Sequence, residues 1–195
     1  MKVMKDRFAA GRAEQALIFS RHACQANGLA IYVVIDARSG SIVHLCFAEA
    51  TQAAAARKLQ HLLPAAVFVE NQQDHPLIIR MLADYCNGRQ RQFAPPCSSL
   101  LVDVATSFQR LVWQAIADIP YGTTRTYGDL ARQVGTVRCA RAVGQACHAN
   151  PLALIVPCHR VVGAHGQLGG FSGGLDIKKR LLALEAFYTA DEQKA

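Results

Sequence analysis

Between residues 106 and 151 the chain spells three helices in succession, each with its own stop signal, and any fold must pack them together. "TSFQRLVWQAIADIP" (106–120) opens with Thr106 and Gln109 at capping-box spacing. Phe108, Leu111, Val112, Ala115, Ile116 and Ile119 recur at the helical period, so one face is apolar, and Pro120 and Gly122 end the run. "TYGDLARQVG" (126–135) predicts a short helix closed by Gly135, and "VRCARAVGQACHANP" (137–151) a third, closed by Asn150 and Pro151. Two short helices joined by a tight turn make a helix-turn-helix pattern, with the last element as recognition helix. That element carries Arg138 and Arg141 among the small residues Ala140, Ala142, Gly144 and Ala146. Such small residues permit either close approach of a partner or tight packing inside the protein.

The first hundred residues read as mixed α/β. "GLAIYVVIDARSGSIVHLCFA" (28–48) predicts a hairpin turning at "DARSGS". "TQAAAARKLQHLLP" (51–64) is helical, with Ala55, Leu59 and Leu62 on one face, and "AVFVE" (66–70) is a short strand. "DHPLIIRMLADYCNG" (74–88) is a helix that Asp74 can cap, Pro76 can start and Gly88 can end. "RQRQFAPPCSS" (89–99) breaks the pattern with two prolines, so a boundary is placed there, giving domains of 1–95 and 96–195.

Composition narrows the function classes. Half of the 195 residues are hydrophobic, enough for a packed core. No apolar run approaches the ~20 residues of a membrane helix. The charged N-terminus shows no hydrophobic stretch followed by a cleavage site, so a cytoplasmic protein is expected. The seven cysteines are widely spaced and form no CxxC pair, which argues against a zinc knuckle or dithiol motif. His22 and Cys24, with His44 and Cys46, come nearest to a metal cluster; without ligand spacing they read as ordinary strand residues, and no metal is predicted. The net charge of +7 favours polyanionic partners, nucleic acid first.

Chemistry concentrates in "LIVPCHRVVG" (154–163). The apolar "LALIVP" (152–157) predicts a short buried strand that delivers Cys158 near its end. Cys158 can pack as a small hydrophobe, or act as a nucleophile with His159 as its base. Neighbours on a strand face opposite ways, so the pair needs a backbone turn or a bridging water. Further on, "GGFSGGLDIKKRLLALEAFY" (169–188) is a glycine-rich loop feeding a helix whose stripe is Ile177, Leu181 and Leu184. The glycines lack a GxGxxG or Walker pattern, so phosphate binding is not implied. Glu185 lies at the edge of the stripe; it either reaches solvent or pairs with His159 in a Cys-His-Glu relay.

Together "PCHRVVG", "RAVGQACHANP", "YGTTRTYGDLA", "TSFQRLVWQAI" and "GGFSGG" resemble the O6-alkylguanine-DNA alkyltransferases, the methylated-DNA–protein-cysteine methyltransferases. The resemblance covers residues 100–188 in order; "ATSFQ" stands where GTxFQ is usual, and Phe171 where many members have Tyr. It implies a ribonuclease-H-like α/β first domain, a small antiparallel sheet with helices, followed by a mainly α domain with a winged-helix-like helix-turn-helix. It implies repair by irreversible transfer of an alkyl group from O6 of guanine in DNA to Cys158, once per chain, without a cofactor. Whether O4-alkylthymine is also repaired stays open.

By the same resemblance, His159 takes the thiol proton through a water, Glu185 orients His159, and Tyr127 protonates ring N3 of the leaving guanine. Asn150 braces the recognition helix against the active-site segment. The carbonyls of Val156 and Cys158 read the exocyclic amine, Ser172 offers a backbone N–H to O6, and Phe171 packs on the alkyl group or the base. Arg141 fills the stack vacated by a flipped base, Arg138 contacts phosphate, and Ala140 and Gly144 let the helix enter the minor groove of double-stranded DNA. A monomer is expected, with no membrane partner. Two rivals remain: a cysteine hydrolase with a Cys158–His159–Glu185 triad, and a DNA-binding regulator that senses alkylation of Cys158.

Overall fold

The structure, a computed structural model, describes residues 15–24, 29–47, 57, 59–61, 63, 66–70, 75–98, 105–135 and 137–192. Its first half is built on a four-stranded sheet. Strands β1 (Gln15–Cys24), β2 (Leu29–Asp36), β3 (Ile42–Phe47) and β4 (Ala66–Glu70) lie in the order β3-β2-β1-β4. β2 and β3 form the predicted hairpin. Its turn is closed by the Asp36 carboxylate, which accepts from the Arg38 N–H and the Ser39 hydroxyl, and by Gly40 at φ +69°. β1, β2 and β3 are antiparallel, whereas β4 adds to β1 in parallel. A parallel return needs a crossover. Of the predicted helix at 51–64, Arg57 and Leu59–His61 are described and helical, Leu63 is described just beyond them with its N–H on the Leu59 carbonyl, and the rest lies outside the described residues.

β1 gives bounds to a strand that the sequence suggests only at His22 and Cys24. "QALIFSRHAC" alternates poorly and follows a charged stretch, yet it pairs on both edges. The register also separates the two His/Cys pairs. His22 stands opposite Ile31, which stands opposite Phe47, while Cys46 stands opposite Tyr32 and His44 opposite Val34. The pairs thus occupy alternate positions across the sheet.

Helix α1 (Pro76–Cys86) starts at Pro76 and ends where Gly88 turns to φ +67°. Its N-cap residue is His75, without a side-chain cap bond; Asp74, the predicted cap, lies outside the described residues. The following segment is not a free linker. Phe93 and Pro95 are buried, and Ile42 exchanges backbone hydrogen bonds with Pro96 and Ser98.

The second half carries the three predicted helices. α2 (Ser107–Ala117) has the full capping box, with Gln109 N–H on the Thr106 hydroxyl at 3.1 Å and Thr106 N–H on the Gln109 side chain at 2.9 Å. Leu111, expected on the apolar face, is 57% exposed. Leu111 and Trp113 flank the buried arc on opposite sides, and only the side facing the last helix is covered. There the Trp113 indole N–H donates to the Ala146 carbonyl at 2.8 Å. α3 (Tyr127–Val134) begins with a second capping box, Thr126 and Asp129. A 3₁₀ turn (Val137–Cys139) leads into α4 (Ala140–Ala149), which Asn150 ends. The three helices pack around Val112, Ile116, Leu130, Val143 and Ala146.

Residues 152–157 are buried or partly buried but do not form the predicted strand. Leu152 bridges Leu45 of β3, the Val156 N–H then folds back on the Leu152 carbonyl at 2.8 Å, and Leu154 takes a left-handed φ of +68°. An unbroken apolar run reports burial and not periodicity, which is why the sequence could not separate turn from strand. The chain then makes a 3₁₀ turn (Cys158–Arg160). Strand β6 (Val161–Val162) follows, paired in parallel with β5 (Arg125–Thr126). Helix α5 (Leu175–Glu192) closes the fold.

One core joins the halves. Ile31, Val33, Leu45 and Phe47 of the sheet and Leu82 and Tyr85 of α1 pack with Leu152, Leu154, Ile177 and Leu181. Leu17, Val34, Val43 and Leu59 form a separate apolar cluster. Among the described residues no helix is long and apolar enough to cross a membrane.

Candidate active site

Cys158 sits in the 3₁₀ turn and is 4% exposed. The turn is held from α4. Asn150, at the helix end, donates through Nδ2 to Cys158 Sγ at 3.2 Å and to the Val156 carbonyl at 2.8 Å, and its Oδ1 accepts from Leu152 N–H at 3.0 Å. One buried amide therefore fixes the thiol, the turn before it and the helix C-terminus. The Val156 carbonyl also accepts the Cys158 N–H at 2.8 Å. Both its lone pairs are engaged, so it is not the free acceptor that the sequence reading expected.

The turn carries His159 away from Cys158 and into the core, where it is fully buried. His159 Nε2 lies 2.7 Å from Glu185 Oε1, and Nδ1 has no hydrogen-bond partner among the described residues. A carboxylate only accepts, so Nε2 carries the proton and Nδ1 keeps the lone pair. Burial pushes the His159 pKa below the usual imidazole value. The Glu185 contact opposes this, and the Arg160 and Lys178 charges add to it. The ring is neutral at neutral pH and able to take a proton.

Glu185 is 1% exposed and densely partnered. Arg160 donates from Nε and Nη2 at 3.0–3.1 Å, Gly122 N–H at 2.9 Å and the Tyr85 hydroxyl at 2.5 Å. Burial alone would raise its pKa, but the bonds and charges of His159 and Arg160 outweigh it and hold the carboxyl at about 2. Gly122 can aim its N–H this way because its backbone turns left-handed, φ +72°.

In front of Cys158 a pocket of about 440 Å³ opens. Tyr127, Phe171 and Ser172 line it, with Ala140, Arg141 and Gly144 of α4 at its other wall. His159 and Glu185 stand behind the thiol, and Arg138 is exposed on the preceding turn, outside the lining. Burial first, then the Cys147 and Cys158 charges, push Tyr127 up to about 12, so it stays a proton donor. Its hydroxyl lies 3.4 Å from the Gly170 carbonyl. A Cβ on Gly169 would stand 2.7 Å from that hydroxyl, so the loop comes this close only as glycine. Phe171 bridges the two halves, with ring centroids 5.7 Å from Phe47 and 6.5 Å from His159.

A model of the 6-O-methylguanine DNA methyltransferase DNA-binding domain matches residues 107–187. The methylated-DNA–protein-cysteine methyltransferase of Methanosarcina acetivorans is 47% identical over 118 residues, 60% of this chain and 73% of that protein. The chain belongs to this methyltransferase family. The likeness extends to the first half. The crystal structure of Mycobacterium tuberculosis O6-methylguanine methyltransferase matches with a TM-score of 0.69 at 30% identity, covering 88% of this chain and 94% of that one. The OGT protein of the same organism in complex with DNA matches with a TM-score of 0.67 at 30% identity, covering 88% and 94%. An α/β part followed by a helical part is thus the architecture of these methyltransferases and of this chain.

Three residues around the methyltransferase site escaped the sequence reading of the site's chemistry. Lys178 is fully buried, donates to the Val161 carbonyl at 2.6 Å and stands 5.9 Å from the centre of the Tyr127 ring. Burial lowers its pKa, and the Cys158 and Cys147 charges oppose that shift. The period that puts Leu181 and Glu185 on the buried stripe of α5 also reaches Lys178, so the signal was there. Arg160 was given only the task of holding the turn; it does so by binding Glu185 and the Ile119 carbonyl, the latter at 2.7 Å. Tyr85 follows Ile78 and Leu82 at helical spacing, a core pattern that conceals its polar end.

Proposed function

We propose that the chain repairs alkylated guanine in double-stranded DNA by moving the alkyl group from O6 to its own Cys158. The observation that carries this reading is the placing of Cys158: it floors a pocket walled by Tyr127, Arg141 and Phe171, with the His159–Glu185 pair behind it. The names of its relatives, and the DNA in one matching structure, support DNA as the partner.

In this mechanism His159 Nδ1 takes the Cys158 proton through a water, and the thiolate attacks the alkyl carbon. The bond from carbon to O6 breaks and its electron pair passes into the guanine. Tyr127 donates a proton to ring N3, which makes the base a better leaving group. Ser172 N–H steadies O6, Phe171 packs on the base or alkyl group, and the exocyclic amine is read by the Cys158 carbonyl without that of Val156. The target must be flipped out of the duplex, and Arg141 fills its place. Ala140 and Gly144 allow α4 into a minor groove only ~6 Å wide, and Arg138 meets phosphate. A Cβ on Gly144 would find open space apart from an ordinary contact with Tyr127, so internal packing does not demand its smallness.

On this reading α3 and α4 are a helix-turn-helix in a winged-helix-like domain of 96–195, and residues 1–95 form a ribonuclease-H-like domain. The protein acts as a monomer. The product is a thioether, and each chain acts once. Incubation with excess O6-methylguanine duplex should add one methyl group per chain, mapped to Cys158 by mass spectrometry and absent in Cys158→Ala. Repeated product release without an adduct would instead indicate a cysteine hydrolase.

A further inference from the structure

We infer that Tyr85, delivered from α1 in the first half, is a positioning residue of the transfer reaction that, through Glu185, sets how readily His159 takes up the Cys158 proton. This deepens the alkyl-transfer reading and rests on it. Tyr85 lies outside the matched segment 107–187.

The Tyr85 side chain is fully buried, its ring edge-on to Tyr121 at 5.7 Å. Its hydroxyl meets Glu185 Oε1 at 2.5 Å and His159 Nε2 at 3.4 Å. A phenol has a single hydrogen, and the ionised carboxylate claims it. The phenolic oxygen then turns lone pairs toward Nε2. Nε2 thus faces two acceptors, the carboxylate and the phenol oxygen, and must itself hold the proton. Nδ1 is left bare, which is the form that can accept the Cys158 proton. Burial, followed by the charge and bond of Glu185, drives the Tyr85 pKa upward, so its hydroxyl remains a donor to Glu185 as pH rises.

Other charged or titratable groups bear on His159. Glu185 and Lys178 come from α5 and Arg160 from its own turn, while Tyr121, in the loop after α2 and under the Arg91 guanidinium, acts on the Glu185 and Arg160 charges. Among them, Tyr85 and Arg160 donate to the same carboxylate oxygen as His159. Without the Tyr85 hydroxyl, Glu185 bears its charge with one donor fewer and attracts the imidazolium more strongly. The His159 pKa then rises and less of the basic form is present at a given acidic pH.

The test is the rate of adduct formation with free O6-benzylguanine against pH, for the parent and Tyr85→Phe. The acid limb should move up by roughly one pH unit, the scale of one hydrogen bond to a charged group. In parallel, ¹⁵N spectra of the His159 ring should show Nε2 protonated in both proteins and Nδ1 taking up its proton at a higher pH in the variant. An unmoved limb, or a uniform loss at every pH with the His159 titration unmoved, overturns the inference. Should Tyr85→Phe not fold, 3-fluorotyrosine at position 85, a stronger donor, should move the limb the other way; an upward move or none overturns it. If the parent forms no adduct, the alkyl-transfer reading fails by itself, and the ¹⁵N spectra still decide whether Tyr85 tunes His159.

Discussion

Arg160 grips Glu185 with two nitrogens at 3.0–3.1 Å while a third holds the Ile119 carbonyl, so one guanidinium ties the active-site turn to both α5 and the end of α2. Both partners are buried, with side-chain exposures of 7% and 1%. Removing one member of such a pair strands the other charge. Arg160→Met is therefore expected to cost about 3–5 kcal/mol of stability, read from urea unfolding. Arg160→Lys should recover little of it, because an ammonium cannot reproduce the planar fork.

Acid stability should fall in two stages. The His159 pKa is lowered in the fold, so below its ordinary value of 6.5 the unfolded chain binds a proton that the folded chain refuses, and stability drops as pH falls. The Glu185 pKa is lowered from 4.5 to about 2, so its contribution is present above about 4.5 and is lost progressively toward about 2. Both slopes have the same sign. Denaturant titrations across pH should show Glu185→Gln without the lower stage, at reduced stability near neutrality. An unchanged profile below pH 4.5 would contradict the assignment.

How much of this was legible in the sequence depends on what each signal measures. Capping boxes and helical spacing are local, and they located the ends of α2, α3 and α4 to within about three residues. The same spacing on α5 put Glu185 at the core edge but could not say that Arg160 and Tyr85 would meet it there. Those partners lie 25 and 100 residues away in the chain. Such contacts belong to the tertiary fold. For the same reason "LALIVP" was misread as a strand: its burial was plain, but the turn depends on Asn150 and on Leu45 across the molecule. The catalytic roles came from the family resemblance, and geometry supplied the second donor, the Cys158 N–H, that saturates the Val156 carbonyl.

Gly169 offers a way to move Tyr127 without touching its hydroxyl. An alanine methyl would collide with the Tyr127 ring edge and oxygen, each 2.7 Å away, and the partly exposed loop leaves the ring free to yield outward. Gly169→Ala should leave thermal unfolding close to the parent. It should slow adduct formation by roughly 100-fold, the scale of displacing a catalytic group by about 1 Å. Equal loss in Gly169→Ala and Tyr127→Phe, without additivity in the double variant, would locate the effect in the tyrosine.

Arg141 separates recognition from chemistry. It is exposed at the mouth of the pocket and makes none of the hydrogen bonds that hold Cys158, His159 or Glu185. If it fills the stack left by a flipped base, Arg141→Ala forfeits compensation for a few kcal/mol of unstacking, and transfer from duplex DNA should fall by roughly 100-fold. Free O6-benzylguanine needs no flipping, so its reaction should fall far less. The ratio of the two rate constants, measured side by side on parent and variant, is the readout. A ratio that does not change would mean that Arg141 serves the chemistry or the fold and not the opening of the duplex.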